Sequence, residues 1–196
     1  VISCVCQLPD FKGWQKVIIS SDKDFFQLLD DETIIYRPTQ SEVLNKKMVV
    51  EKFGIHPTNF ALARAIVGDK SDNLEGIKGV GLPTVAKRLP FLAEEKTYTI
   101  AEVNEFCKLS NSNLKAYRHI VEGHDIIKQN YQLMQLYSPN ISIQSKEKIK
   151  YIVKNTKMTF NKTFTNGMML QDGFGEISWS DLFTAFKRIQ QYSKLN

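Results

Sequence analysis

A short β-branched run followed by two carboxylates constrains the fold of this chain more than any other stretch. Residues 17–20 read Val-Ile-Ile-Ser, which predicts a strand buried on both faces of a parallel sheet. Asp22 and Asp24 follow at the carboxyl end of that strand, where the active sites of open α/β sheets lie. The structural alternative is that Asp22 caps the next helix and Asp24 faces its dipole. Taken by themselves, these two residues favour the structural alternative, because caps far outnumber metal ligands.

A second pair of carboxylates, Asp69 and Asp72, shifts the balance toward metal chemistry. Their spacing predicts that both lie on one side of a helical turn and converge. Carboxylates that close repel one another unless a cation lies between them, and oxygen ligands suit Mg²⁺ or Mn²⁺. A polar surface turn is the alternative, since the neighbouring Gly, Ser and Asn residues favour turns. The candidate catalytic and metal-binding residues are Asp22, Asp24, Asp69 and Asp72.

A glycine-rich turn and a short basic helix follow directly, over residues 77–89. Gly79 and Gly81 form a Gly-x-Gly turn that exposes backbone N–H groups at a helix N-terminus, which is a phosphate-binding arrangement. The pattern predicts a helix–hairpin–helix that contacts phosphates and reads no bases, and a purely structural hairpin is the alternative. The predicted nucleic-acid contacts are Lys70, Lys78, Gly79, Val80, Gly81, Thr84, Lys87 and Arg88.

Composition narrows the class of protein but does not decide its function. The 196 residues are 42% hydrophobic and 24% charged, as in soluble globular proteins, and the length allows one large domain or two small ones. No apolar run approaches about 18 residues, so we expect no membrane partner. The net charge of +5 agrees with a nucleic-acid partner. The three cysteines match no zinc or disulfide pattern, which indicates free thiols in a reducing compartment.

Periodicity and turn residues predict the remaining elements. The apolar start of the chain predicts the tail of a helix. It also resembles the middle of a buried element, and we therefore expect this chain to be the C-terminal part of a longer protein. A second strand is predicted at residues 33–36 and a short helix at 25–29. Further helices are predicted at 46–53, from Pro57, at 113–128, at 145–157 and after Ser178. Residues 131–137 predict an edge strand or a docking segment.

Three of these motifs occur in the order found in the 5′-nuclease (flap endonuclease) superfamily. The stretch VIISSDKDF with the following QL, at residues 17–28, resembles that family's strand-end acidic motif. GDKSDN at 68–73 is similar to its second acidic motif, and residues 79–89 resemble its helix–three-turn–helix DNA clamp. The residues Ser20-Ser21-Asp22 and the stretch 128–141 are most similar to the ribonuclease H of T-even bacteriophages and its relatives.

The resemblance implies an α/β fold in three parts. Residues 1–45 would be the C-terminal part of a PIN-like parallel-sheet nuclease domain. Residues 46–130 would form a mostly helical domain that carries the second acidic motif and the clamp, and 131–196 a C-terminal helical subdomain. The implied location is the cytoplasm, that of the bacterial host if the gene belongs to a phage.

The implied activity is that of a metal-dependent 5′–3′ exonuclease and flap endonuclease that removes RNA primers and 5′ flaps in DNA replication. The family uses two Mg²⁺ ions, which Mn²⁺ can replace, and a K⁺ ion in the clamp. Carried onto this sequence, Asp24, Asp69 and Asp72 would hold mainly one ion, and Asp22 the ion nearer the scissile phosphate. The implied partners are DNA and RNA–DNA duplexes with a 5′ flap or end, and a single-stranded-DNA-binding protein or a sliding clamp.

The family's N-terminal aspartate, its acidic cluster and its helical arch have no counterpart in this sequence. We therefore expect the chain alone to bind duplex weakly and to cut poorly or not at all. One alternative function is a non-catalytic helix–hairpin–helix DNA-binding module, and another is an α/β metal phosphatase. Four converging aspartates argue against a pure binder, because anions repel phosphates. The clamp argues against a phosphatase.

Overall fold

The computed structural model describes residues 1–110, 114–138, 141–156, 160–174 and 177–192 of the chain. It divides into two compact units, Val1–Ile149 and Lys150–Asn196. The boundaries predicted at residues 45 and 130 both lie within the first unit, and that three-part division stays a prediction. The helices are α1 Ile2–Cys6, α2 Lys46–Phe53, α3 Pro57–Val67, α4 Leu82–Arg88, α5 Ile100–Leu109, α6 Lys115–Glu122, α7 His124–Met134, α8 Ile143–Asn155, α9 Lys162–Gln171 and α10 Trp179–Tyr192.

A small mixed sheet lies in the first unit. Strand β1 (Lys16–Ile19) pairs in parallel with β2 (Thr33–Arg37), and β2 pairs antiparallel with β3 (Glu42–Leu44). The α/β fold and both predicted strands are confirmed, with Ile18 opposite Ile35 across the parallel pair. The sequence did not predict β3, because three residues are too few to show an alternating pattern.

The exposure of β1 contradicts the prediction that this strand is buried on both faces. Ile18 is only 5% exposed, whereas its neighbours Val17 and Ile19 are 51% and 71% exposed. In the described residues β1 therefore packs on one face only. The β-branched run identified the strand correctly, but such side chains favour strands on covered and uncovered faces alike.

Three aromatic rings form the centre of the core. Phe26 comes from a 3₁₀ helix (Lys23–Leu28) after β1, Phe53 from the end of α2 and Phe60 from α3. Their ring centroids lie 5.3 to 5.7 Å apart, two of the three pairs meeting edge to face. Because Phe26 and Phe60 are fully buried, the 3₁₀ helix after β1 is fixed against α3. The short helix predicted at residues 25–29 is this 3₁₀ helix.

The helices α2 and α3 agree with their predicted positions. Gly54 ends α2 in a left-handed conformation, with φ of 66°, as a C-terminal glycine does. Pro57 occupies the first position of α3, where a missing N–H costs nothing. Helix α3 is buried over most of its length and packs against both α7 and the 3₁₀ helix.

Two predictions for the middle of the chain were wrong. The single helix predicted at 113–128 is two helices, α6 and α7, which meet at Gly123; residues 111–113 lie outside the described part. A Cβ atom at Gly123 would overlap the side chain of Ile77, so close packing against the 68–81 segment favours glycine here. The edge strand predicted at 131–137 is wrong, because these residues begin as the last turn of α7, which runs to Met134; the alternative of a docking segment stays a prediction.

The predicted helices near the C-terminus are confirmed as α8 and α10, with Lys157 outside the described residues. In the second unit the rings of Phe160 and Phe186 stack with centroids 4.6 Å apart. Phe183 is 8% exposed and lies beside Phe160. The aromatic residues of α10 thus form a small core with Phe160.

No helix in the described ranges has both the length and the apolar composition needed to cross a bilayer.

The imidazole of His56 caps α3. We expect it to make the stability of the folded protein depend on pH. Its Nδ1 accepts the Thr58 N–H at 3.3 Å, and its neutral form is favoured because burial lowers its pKa below the ordinary value of 6.5. The nearby Glu95 raises that pKa and Lys46 lowers it. Because the folded pKa is the lower one, the unfolded chain binds the proton more strongly, and stability falls as the pH drops below about 6.5.

The variant His56→Asn is expected to keep a cap on α3, since asparagine is a good N-cap, and to lose this part of the pH dependence. Thermal unfolding between pH 7.5 and about pH 5 measures the difference. A smaller decrease in Tm for the variant than for the wild type is the expected result. Parallel Tm curves for the two proteins would show that His56 does not titrate on unfolding.

Candidate metal centre and nucleic-acid interface

The first acidic pair lies immediately after β1. Asp22 is exposed and caps the 3₁₀ helix, since its Oδ1 accepts the N–H of Asp24 at 2.9 Å. The capping role considered for Asp22 is therefore observed, with one carboxylate oxygen used. Asp24 is the second residue of that helix, and its side chain is 19% exposed. The amide of Gln27 donates to the Asp24 carbonyl at 2.8 Å and to the Met134 carbonyl at 3.1 Å, which ties this segment to the end of α7.

The second acidic pair lies in a closed loop after α3, and the helical turn predicted for it is wrong. Asp69 and Leu74 exchange two backbone hydrogen bonds, of 2.9 and 2.8 Å, which close the loop. Asn73 has a φ of 58°, a left-handed conformation that breaks any helix. Asp69 Oδ1 accepts from the N–H of Ser71 at 2.8 Å and from its hydroxyl at 2.5 Å. Asp72 is exposed on the same loop.

Three of the four predicted aspartates meet. Asp24, Asp69 and Asp72 each offer a carboxylate oxygen, and these three oxygens lie within 4.8 Å of one another. Asp22 is not a member of this group. Mg²⁺ bonds at about 2.1 Å, so its ligand oxygens lie about 3–4 Å apart. Carboxylate oxygens at nearly that separation are a hard donor set that fits Mg²⁺ or Mn²⁺.

Arg64 of α3 bridges two members of the cluster, and sequence reasoning missed it. Its Nε donates to Asp24 Oδ1 at 3.0 Å, and its Nη2 donates to Asp69 Oδ2. The Arg64 side chain is 12% exposed. The signal in the sequence was a single charged residue among the apolar positions of α3. Ser71, which orients Asp69, was also missed.

The electrostatics of the cluster differ from one residue to the next. Burial raises the pKa of the Asp24 carboxyl above its usual range, although the bond from Arg64 acts in the opposite direction. The Ser71 hydroxyl is the main cause that lowers the pKa of Asp69, with Arg64 contributing. Burial opposes the charge of Arg64, but its bonds to Asp24 and Asp69 raise its pKa. The guanidinium is thus held as a cation between two carboxylates.

The predicted nucleic-acid contacts fall into two sets around the acidic loop. A groove of about 770 Å³ runs along residues 67–81, and its lining includes Lys70, Lys78, Gly79, Val80 and Gly81. The other predicted contacts, Thr84, Lys87 and Arg88, belong to α4. Gly81 precedes α4, and no side chain caps that helix. An exposed groove whose charged residues are Lys70, Glu75 and Lys78 therefore adjoins the acidic loop, with Lys70 next to Asp69 in the chain.

Val80 lines the groove but is almost entirely buried, which leaves little of its side chain for contact with a nucleic acid. It is 5% exposed and belongs to the core, and its N–H donates to the Ile77 carbonyl at 3.0 Å. Its role is to hold the turn against the helices. Gly79 has a φ of 76°, so the turn at this position requires glycine.

No protein-family profile matches the chain. Over 84 residues the chain is 39% identical to a 5′-3′ exonuclease of Aquifex aeolicus, a match that covers 43% of this chain and 29% of that protein. Over 89 residues it is 35% identical to the thermostable DNA polymerase I of Thermus aquaticus, covering 45% of this chain and 11% of the polymerase.

Solved structures extend the likeness to the fold. T5 5′-exonuclease with bound zinc ions superposes with a TM-score of 0.57 at 18% identity, covering 69% of this chain and 49% of that one. A T5 flap endonuclease in complex with DNA and metal ions gives a TM-score of 0.54 at 16% identity, with the same coverage. The chain is related to the 5′-nuclease superfamily.

The chain spans under a third of the Aquifex aeolicus exonuclease and about a tenth of the Thermus aquaticus polymerase, so the likeness concerns a segment of those proteins. The predicted superfamily and α/β fold are confirmed. The narrower likeness to the ribonuclease H of T-even bacteriophages stays a prediction. So do the roles assigned to Asp22, Asp24, Asp69 and Asp72 and to the nucleic-acid contacts.

Proposed function

We propose that the natural-length protein is a divalent-metal-dependent 5′–3′ exonuclease and flap endonuclease that removes RNA primers and 5′ flaps during DNA replication. The observation that carries this proposal is the convergence of Asp24, Asp69 and Asp72 within 4.8 Å, beside an exposed groove that carries Lys70 and Lys78. Its relatives named as 5′-3′ exonuclease and DNA polymerase I support the same reaction class. We place this activity in the cytoplasm.

The aspartates divide between two ion positions in this proposal. Asp24, Asp69 and Asp72 hold one Mg²⁺ ion, which Mn²⁺ can replace. Asp22 lies outside that group and serves the ion nearer the scissile phosphate; only its Oδ1 is used in capping. When bound, the ions supply Lewis-acid stabilisation of the charge that develops on the phosphate, and they activate water. The protein's own contribution is to hold three oxygens in place and to keep Asp69 oriented through Ser71.

The groove and α4 hold the duplex in this proposal. Lys70, Lys78 and Lys87 are exposed and neutralise phosphates, while Thr84 and Arg88 contact the same strand from α4. Backbone carbonyls of the turn seat a K⁺ ion. The substrates are DNA and RNA–DNA duplexes with a 5′ end or flap, and a single-stranded-DNA-binding protein or a sliding clamp is the proposed protein partner. That the 196-residue chain alone cuts poorly or not at all stays a prediction.

A non-catalytic DNA-binding module is the second candidate, and two observations favour it. Asp22 already has a structural role as a cap, and Arg64 already compensates two of the clustered carboxylates. In a binder the cluster would be an ion-pair network that holds α3 to the 3₁₀ helix. Such a protein would bind duplex without cutting it, and divalent ions would change neither binding nor stability specifically.

Cleavage of a labelled 5′ flap by the natural-length gene product separates the two candidates. The nuclease is expected to release the flap in Mg²⁺ and not in EDTA, and the variant Asp22→Asn is expected to lose this activity. Duplex binding is measured on the same samples by titration at one fixed salt concentration. Intact binding with no cleavage by the wild type in either Mg²⁺ or Mn²⁺ would establish the binding module instead.

Gly81 offers a test of the groove that leaves the fold intact. A Cβ atom at this position would lie 3.7 Å from Pro83 Cδ, an ordinary contact. We expect Gly81→Ala, and more strongly Gly81→Val, to weaken duplex binding about two- to tenfold, because a side chain blocks a backbone hydrogen bond to phosphate. Fluorescence titration at fixed low salt gives the affinity, and the Tm shows that folding is unchanged. Equal affinity for wild type and variants would remove the turn from the interface.

A further inference from the structure

We propose that Arg64 is a positioning residue: a resident cation that draws Asp24 and Asp69 together in the metal-free protein, so that the carboxylate cluster is formed before a divalent ion binds. This inference rests on the proposed function, because the cluster that Arg64 prepares is the proposed metal centre. It adds a role that the aspartate motifs do not contain.

The contacts of Arg64 join two separate segments of the chain. From α3, its Nε donates to Asp24 Oδ1 in the 3₁₀ helix at 3.0 Å, and its Nη2 donates to Asp69 Oδ2 in the acidic loop. Its Nη1 reaches the Gly68 carbonyl at 3.5 Å. A planar guanidinium offers its donors in a fixed fork, so two carboxylates that bind the same fork are held in a defined relation.

The positions of these bonds leave room for a second cation. Arg64 bonds to Oδ1 of Asp24, so the Oδ2 atom of that carboxylate remains as a ligand. Asp69 Oδ1 accepts from both the N–H and the hydroxyl of Ser71, whereas Oδ2 accepts from Arg64 and keeps a second lone pair. Asp72 completes the group from an exposed position. A divalent ion can therefore join these carboxylates without displacing the guanidinium.

The charges of the site also agree with a carboxylate cluster that forms before the divalent ion binds. Three carboxylates within 4.8 Å repel one another strongly in a partly buried position, and no divalent ion offsets this repulsion before binding. One guanidinium, 12% exposed, offsets part of it and leaves a net formal charge of −2 for the four groups. That residual charge matches one divalent cation. A purely structural ion pair would need no third carboxylate at this distance.

The test compares thermal unfolding of the natural-length wild type, Arg64→Met and Arg64→Lys, each in EDTA and in saturating Mn²⁺. Methionine keeps much of the side-chain length but removes the charge. In EDTA we expect Arg64→Met to lower the Tm by about 5–10 °C, because it leaves the carboxylates uncompensated. Mn²⁺ is expected to restore at least half of that loss. In EDTA the Tm of Arg64→Lys is expected to lie between those of the wild type and Arg64→Met, since lysine keeps the charge but cannot bridge both carboxylates.

A double variant shows whether repulsion causes the loss. Adding Asp69→Asn to Arg64→Met removes one of the repelling charges, so the double variant is expected to unfold at a higher temperature in EDTA than Arg64→Met alone. If Arg64→Met does not fold in EDTA, refolding in Mn²⁺ and the behaviour of Arg64→Lys decide the question. Recovery of the Tm of Arg64→Met in Mn²⁺ supports the positioning role. So does a Tm in EDTA that is higher for the double variant than for Arg64→Met.

Two different results overturn the inference and can be told apart. A loss of Tm that is equal in EDTA and in Mn²⁺, in a protein whose wild type responds to Mn²⁺, would reduce Arg64 to a structural ion pair and leave the metal centre standing. A wild type whose Tm does not respond to Mn²⁺, and which shows no Mn²⁺ binding by calorimetric titration, would overturn the proposed metal centre and the role of Arg64 together.

Discussion

Replacing Asp72 with asparagine is expected to abolish Mg²⁺-dependent cleavage by the natural-length protein while duplex binding stays equal or improves. Asp72 is exposed, so its replacement does not disturb the core. It contributes one of three clustered carboxylate oxygens, and the amide carries no charge to hold a cation there. Metal ions contribute several kcal/mol of transition-state stabilisation, so we expect a loss of about 10³-fold or more in the cleavage rate.

Single-turnover cleavage of a labelled flap measures this effect, and titration with the same substrate in EDTA measures binding. Asp125→Asn is the matched control, because Asp125 is an exposed aspartate of α7 that is not a member of the cluster. The control is expected to cut like the wild type. Cleavage by Asp72→Asn at the wild-type rate would remove Asp72 from the site.

A methyl group at Gly76 is expected to disrupt the acidic loop. A Cβ atom there would overlap the carbonyl of Val67 and lie 2.6 Å from the Gly68 nitrogen, all of which are backbone atoms that cannot rotate away. The backbone of Gly76 crosses that of Val67 and Gly68, and this crossing closes the base of the loop that carries Asp69 and Asp72. Such overpacking costs about 1–3 kcal/mol of stability. A displacement of about 1 Å at the carboxylates lowers catalysis by about 10²-fold.

Denaturant unfolding and flap cleavage of Gly76→Ala, at a temperature where the variant remains folded, check both effects. Gly167→Ala is the control, because a Cβ atom at Gly167 in α9 has no neighbour within 4 Å. Alanine is also the better helix former, so the control is expected to be as stable as the wild type or slightly more so. Wild-type stability and cleavage for Gly76→Ala would show that the crossing does not hold the loop.

The part of the site that the sequence predicted is the part coded by short local motifs. Asp22 and Asp24 follow a β-branched strand, and Asp69 and Asp72 lie in a segment of turn-forming residues. These local signals place each carboxylate near the end of an element, and the structure confirms those elements. The strand–short helix–strand order, the bounds of α2 and the start of α3 at Pro57 were predictable for the same reason.

The part that the sequence did not predict depends on tertiary contacts. Nothing within α3 shows that Arg64 points at two carboxylates from different segments. The alternation of residues 131–137 resembled a strand, but the backbone continues α7 and its end is fixed by Gln27, which lies more than a hundred residues earlier. Likewise, the helical periodicity of this stretch does not show that Gly123 packs closely against Ile77.

The direct test of the account is anomalous diffraction at the manganese edge from crystals of the protein soaked in Mn²⁺. An ion bound by the carboxylates of Asp24, Asp69 and Asp72, with bonds of about 2.1–2.2 Å and with Arg64 still in contact with Asp24 and Asp69, is the predicted result. A saturating soak that gives no anomalous peak at this cluster, or a peak only elsewhere on the surface, would contradict the metal centre.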